Sequence, residues 1–138
     1  MKPSIKNTIA VIGGIIIGGA VNMGIVMMSS SIIPPPEGID PSNMESLKSG
    51  MHLFEPKHFL FPFLAHALGT LTGAAFTSFF AASLRMRLAL LIGSFFLIGG
   101  IVNAYILPAP AWFLVVDLVG AYLPMAWWGH RLIRGKAK

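Results

Sequence analysis

The chain has 138 residues, of which 55 % are hydrophobic and 11 % charged, with ten Lys plus Arg against five Asp plus Glu, a formal net charge of +5 and no cysteine. An ordinary soluble domain carries roughly 25 % charged residues. One packed core of this length cannot hide so many apolar side chains under so few charges, so a free-standing soluble protein is excluded and lipid has to be the missing solvent. The lack of cysteine excludes disulfides, thiolate nucleophiles and Cys-ligated metal or iron–sulfur sites.

Crossing about 30 Å of hydrocarbon at about 1.5 Å per residue takes about 20 mostly apolar residues. Residues 7–33, 58–84, 88–107 and 112–130 meet that requirement, and the only formal charge within them is Asp117, apart from the titratable His58, His66 and His130. Each span has to be helical, because an isolated strand would leave its backbone unpaired in lipid. The expectation is an all-α integral membrane four-helix bundle, a single membrane domain over residues 1–138. Lys2 and Lys6 precede the first span as in a signal peptide. Its apolar stretch exceeds the roughly 7–15 residues of such a peptide and no clear A-x-A site follows, so it reads as a retained helix.

Lys2, Lys6, Arg85, Arg87, Arg131, Arg134, Lys136 and Lys138 fall on one side of these spans, and only Lys48 and Lys57 on the other. That asymmetry predicts cytoplasmic termini. Glu37, Asp40, Glu45 and Glu55 all fall in the loop at 34–57, which is therefore acidic and periplasmic. The positive charge describes topology, and no nucleic-acid partner is implied. Tyr105 and Trp112 at the outer boundary, and Trp127 and Trp128 at the inner one, read as interfacial anchors. The basic tail would sit against anionic lipid.

The outer loop opens on Pro34-Pro35-Pro36, an extended stretch. Asp40 then stands as an N-cap candidate before Pro41, Ser42 and Glu45 fit a capping box, and Gly50 is a stop. Met44, Leu47 and Met51 give this short helix an apolar stripe, so it lies on the membrane surface or lids the bundle. Glu55-Pro56 restarts a helix into the second span. Pro108-Ala109-Pro110 makes a stiff turn between the last two spans, and Pro124 should kink the fourth.

Lipid gives helices no hydrophobic drive to associate, so small residues that allow close backbone approach supply the contact. The first span carries Ala10, Gly14, Gly18 and Asn22 at intervals of four, and the second Ala65, Gly69, Gly73, Thr77 and Ala81. Gly100 and Ala104 repeat the pattern briefly in the third. These ridges pair either within the chain or with a partner. The hydroxyls of Thr70, Thr72, Thr77 and Ser78 can be satisfied by the preceding turn.

An ionisable residue inside the membrane is expensive and marks a functional hypothesis. Counting from the outer helix ends at about 1.5 Å per residue, Asn103 lies about 7 Å deep, Asp117 about 9 Å, His66 about 12 Å and Asn22 about 17 Å. Antiparallel helices can thus gather Asp117, His66 and Asn103, with Asn22 below them, into one polar cluster. Such a cluster could lock helices together or hold a proton or small solute. Alternatively, Asp117 reaches a wetted vestibule without meeting His66.

Other chemistry finds little support. A haem between helices needs axial histidines from two of them, and only His66 lies well inside a span. His52, Glu55 and His58 are spaced three apart and are weak metal candidates, interrupted by Pro56. No nucleophile-elbow, HExxH or phosphate-loop motif is present. No catalytic residue, resident metal or cofactor is expected.

The stretch Pro34-Pro35-Pro36-Glu37-Gly38-Ile39-Asp40, after a glycine-rich first span and before a second span with Gly69 and Gly73, resembles a group of small uncharacterised bacterial inner-membrane proteins. The likeness covers the first half of the chain and, more loosely, the second. It implies a bacterial inner membrane and four helices, and carries no activity.

Two functions remain in view. The leading expectation is a non-enzymatic membrane protein that acts through helix packing, as a homo-oligomer or a small accessory subunit of a larger membrane complex. The alternative is a small transporter or channel for protons, ions or a small solute, with an outward-facing site at Asp117, His66 and Asn103. A membrane enzyme would need a second ionisable residue beside Asp117, and only His66 offers one.

Overall fold

A computed structural model describes residues 1–135; Lys136 and Lys138, counted above among the basic residues of one side, lie outside the described residues. The elements in chain order are α1 (Pro3–Ile32), α2 (Met44–Gly50), two 3-10 turns (Met51–Leu53 and Pro56–Phe59), α3 (Leu60–Phe80), α4 (Arg85–Ile106), α5 (Ala111–Gly120) and α6 (Leu123–Arg134). No strand occurs among the described residues. Four helical stretches, Pro3–Ile32, Pro56–Phe80, Arg85–Ile106 and Ala111–Arg134, are long and apolar enough to cross a membrane. The protein is a multi-pass, all-α membrane protein.

Helix α3 is the hub, packing against α1, α4 and α6. Its small-residue ridge meets that of α1 within the same chain. A Cβ added at Gly18 would stand 2.6 Å from the Gly69 carbonyl oxygen, and one at Gly73 2.6 Å from that of Gly14, so only glycine permits this approach. Alongside them the Thr77 hydroxyl donates to the Ala10 carbonyl at 3.1 Å, stitching the two backbones together. On another side of α3, a Cβ at Gly129 would meet the Leu71 carbonyl oxygen at 2.5 Å, which seats α6. Large side chains such as Ile9, Ile16, Phe79, Phe95, Ile98 and Val119 point outward, as a bundle solvated by lipid requires.

Three local expectations are corrected. The cap of α2 is Asn43, not Asp40 or Ser42: the Asn43 side-chain oxygen accepts from the Ser46 N–H at 3.0 Å. Asp40 instead accepts from the Ser42 N–H at 2.9 Å and the Ser42 hydroxyl at 2.6 Å, an Asx turn that uses up both upstream candidates. These two hydrogen bonds, the hydroxyl first, hold the Asp40 carboxyl below its ordinary range.

The fourth span is broken, not merely kinked. Helix α5 ends at Gly120, Tyr122 adopts φ −115° and ψ −82°, and Pro124 sits in the first turn of α6. A proline there needs no N–H partner, whereas in a continuous helix its ring would collide with the carbonyl four residues back, so the chain parts upstream of it. The hydroxyl-bearing residues of α3 also behave differently from one another. Thr72 does bond back to Leu68 O at 2.7 Å, but Thr77 and Ser78 bond across helices and the Thr70 hydroxyl has no partner.

Helix α2 lies at the acidic-loop end, its Leu47 bordering a cavity there. Met51, just past its end, is buried with Phe59 and Phe113, while the Ile39 side chain fills the space over Gly50. Tyr105 and Trp112 near the acidic loop, and Trp127 and Trp128 near the arginines, are exposed on the bundle surface.

Candidate functional site

The break in the fourth span lies where the sequence places its polar intramembrane residues. Asp117, one turn before the end of α5, is 4 % exposed, and its Oδ1 is 2.8 Å from His66 Nδ1 on α3. Its other oxygen accepts from the Tyr122 hydroxyl at 3.3 Å. The Tyr122 ring also stacks on the His66 imidazole, with centroids 5.6 Å apart and 26° between planes. Tyr122 can reach both because the chain leaves helical geometry at that residue, and because Gly100 on α4 has no side chain where the ring lies.

Asp117 and His66 are therefore joined. With Nδ1 engaged, Nε2 is the ring's remaining hydrogen-bonding atom, and the ring borders two cavities. The inner cavity, of about 300 Å³, lies between α1, α3 and α4 and is bordered by Asn22, His66, Thr70, Phe96, Asn103 and Tyr122. Two side-chain oxygens of residues that border it, Asn22 Oδ1 and Thr70 Oγ1, are buried and have no hydrogen-bond partner. Buried polar atoms are nearly always satisfied, and Thr70 is 1 % exposed, so these two oxygens are exceptions beside the cavity. Gly18 and Gly69 border it where α1 and α3 come closest, each with the other's carbonyl oxygen within 3 Å of where a Cβ would stand.

The outer cavity, of about 500 Å³, sits beneath the acidic loop and touches Met27, Leu47, Met51, Phe59 and Leu114 as well as His66, Asn103 and Asp117. It is an apolar vestibule with a polar floor. The two cavities share His66, Gly100 and Asn103, so they adjoin at these residues. Toward the arginine-bearing end the bundle is closed: Ala74, Ala89, Ile92 and Ala126 form a cluster with no exposed surface.

Asn103 and Asn22 both border the inner cavity, although neither bonds to Asp117 or His66. The glycines Gly14, Gly18, Gly69 and Gly73 make the contact between α1 and α3, and of them Gly18 and Gly69 border the chamber. Sequence reasoning missed Tyr122 and Thr70. A tyrosine two residues before Pro124 and five after Asp117 was the available signal for the first, and a hydroxyl one turn beyond His66 for the second.

Two of the three metal candidates, Glu55 and His58, have other roles. Glu55 N–H donates to His58 Nδ1 at 2.8 Å in a reciprocal cap of the turn entering α3, and Glu55 pairs with Lys57 at 3.4 Å. Among the described residues no three His, Asp or Glu side chains converge as metal ligands would.

Chemically, the arrangement offers a carboxylate–imidazole pair that can hold or pass a proton, and beside it neutral amide and hydroxyl groups suited to a small solute. No protein family, curated protein or solved structure matches the chain.

Proposed function

We propose that the protein is a small membrane carrier that admits a small polar solute from the side of its acidic loop and couples its binding to a proton held by Asp117 and His66. What supports this reading is the cavity itself, which gathers Asn22, His66, Thr70 and Asn103 along one wall at membrane depth, with the Asn22 Oδ1 and Thr70 Oγ1 atoms buried beside it without a partner. A lock between helices α3 and α5 explains the 2.8 Å contact but gives no reason for a polar chamber beside it. The broken fourth span adds support, since non-helical backbone at membrane depth is tolerated where it lines a cavity, and carriers build their sites at such discontinuous helices. The vestibule on one side and the closed cluster on the other correspond to one of the two states that alternating access needs.

The distribution of basic residues favours termini in the cytoplasm and an acidic loop in the periplasm of a bacterial inner membrane. The resemblance of the Pro34 to Asp40 stretch supports the same location.

The full chain reconstituted in liposomes with an entrapped pH dye tests the reading. Pools of small polar solutes, including amides, polyols and amino acids, are added outside. A pool that moves protons with wild type and not with Asp117→Asn supports the carrier; proton movement in no pool, or movement indifferent to that substitution, overturns it.

A second reading, assembly with a copy of itself or with a larger membrane complex, is favoured by α1. Its 30 residues span about 45 Å, more than the hydrocarbon needs, and it touches mainly α3. Ile5, Ile9, Ile12, Ile16, Met23 and Met27 are left exposed on it. Light scattering of the protein in mild detergent decides this point: a strict monomer without companion argues against it.

A further inference from the structure

The opposite end of the bundle holds a third cavity, which the carrier reading does not use. It measures about 610 Å³ and is formed by the turn between α3 and α4 together with the end of α6. Arg85, Arg87 and Arg134 border it, with Ser83 and His130 among the other polar groups. No carboxylate among the described residues pairs with any of these three arginines. The sequence makes such pairing difficult, because four of its acidic side chains lie in the loop at 34–57 and the fifth is Asp117.

The cavity is structured from three sides. Asn7 of α1 clamps the turn: its side-chain oxygen accepts from the N–H groups of Ala82 and Ser83 at 2.9 and 3.2 Å, and its amide donates to the Ser83 hydroxyl at 3.1 Å. Leu84 is held in the left-handed region with φ 54°, a conformation that L side chains rarely adopt. The Arg85 Nε–H donates to the Ala81 carbonyl at 3.1 Å, which fixes the base of that guanidinium and leaves its two terminal nitrogens free. On the α6 side, His130 is 7 % exposed and its Nδ1 lies 3.1 Å from the Ser78 hydroxyl, so Nε2 is the ring atom left for the cavity.

Three unpaired guanidinium groups around one concave space match the chemistry of a phosphate group, which arginine grips through forked, charge-assisted hydrogen bonds. Apolar residues point to the phosphate's carrier. Leu84 and Met86 border the cavity, and Phe79 and Phe80 in the last turn of α3 and Leu84 just after it are exposed. Acyl chains could lie there while the headgroup enters between the helices. From this combination we infer that the cavity is a binding site for the phosphate of an anionic phospholipid headgroup, holding the α3–α4 turn against the end of α6. The site is independent of the solute chamber.

The test uses the full-length protein, delipidated in a non-ionic detergent, with melting followed as a soluble short-chain lipid is titrated. Dihexanoyl phosphatidylglycerol should raise the melting temperature saturably, and dihexanoyl phosphatidylcholine should not. Arg87→Gln and Arg134→Gln should each weaken the response roughly tenfold, as expected for a lost hydrogen bond to a charged group. Arg131→Gln removes the same charge from the same end but from a side chain stacked on Trp127 at 5.0 Å, and should leave the response unchanged. Equal responses to the two lipids, or equal weakening by all three substitutions, would overturn the site. Inorganic phosphate is the final arm: if it binds as tightly as the anionic lipid and with the same arginine dependence, the lipid source is overturned.

Discussion

Replacing Asp117 tests whether the buried pair holds the bundle together, serves a site, or does both. In Asp117→Leu, His66 Nδ1 and the Tyr122 hydroxyl both lose their acceptor in a place where the Asp117 side chain is 6 % exposed. Each unsatisfied buried donor costs about 1–3 kcal/mol, so the expected loss is about 3–5 kcal/mol, the range for breaking a buried pair by removing one partner. Asp117→Asn keeps an acceptor of the same shape and should lose only about 1–2 kcal/mol, the charge assistance of the 2.8 Å contact. The two variants therefore separate stability from function: the amide should fold and melt a few degrees lower while failing to move protons. The assay is unfolding in mixed detergent micelles followed by helicity, with His66→Gln and the double variant completing a cycle. A coupling of about 1.5–3 kcal/mol between Asp117 and His66 is expected. An Asp117→Leu variant within about 0.5 kcal/mol of wild type, the usual spread for substitutions away from any specific contact, would refute the account of this pair.

Other consequences follow from the same contacts. Gly18→Val places a Cβ 2.6 Å from the Gly69 carbonyl oxygen and must push α1 from α3, whereas Gly19 has nothing within 4 Å. The first should destabilise by about 1–3 kcal/mol and the second by little, on the same detergent unfolding curve. Leu84→Gly relieves the left-handed backbone at φ 54° and should be stabilising by up to about 1 kcal/mol, while Leu84→Val should be destabilising by at least as much; equal effects would contradict the strain. Asp40 titrates below its ordinary 3.8 because Ser42 bonds its charged form. A depressed folded-state value means that its support for the turn is present above the unfolded value and fades as pH falls through the folded one. Proteolysis of the 34–57 loop by an acid-active protease should therefore accelerate on acidification below about pH 4, and Asp40→Asn should abolish that dependence.

The four spans were legible because lipid leaves a coarse mark on sequence, namely long runs without charge. The boundaries shifted where local chemistry took over. Residues 85–87 joined α4 although Arg85 and Arg87 are basic, and the second span gained a 3-10 entry because Glu55 and His58 cap each other. Depth counting placed Asp117 and His66 within a few ångströms of one level, and antiparallel packing did the rest. The interval of four in the glycine ridges revealed where helices could approach, but not which ones. Their pairing in α1 and α3 depends on reciprocal backbone contacts that no single segment encodes. Tyr122 was invisible as a partner of Asp117 because residues five apart lie on different faces of a continuous helix, and only the break turns the phenol back. The α2 cap was misplaced because Asp40, Ser42 and Asn43 are all good capping residues, and the Asx turn between the first two decides for the third.

The chain contains no cysteine, so a single one placed at Asn103, an exposed residue that borders both cavities, reports the side from which they are reached. Asn103→Cys, in liposomes of defined orientation, is exposed to a membrane-impermeant, charged thiol reagent from either side. With the reagent applied for seconds, the account predicts rapid modification from the acidic-loop side and none from the arginine side, where Ala74, Ala89, Ile92 and Ala126 close the bundle. Modification from the arginine side alone, or from neither, would contradict a chamber that opens beneath the acidic loop.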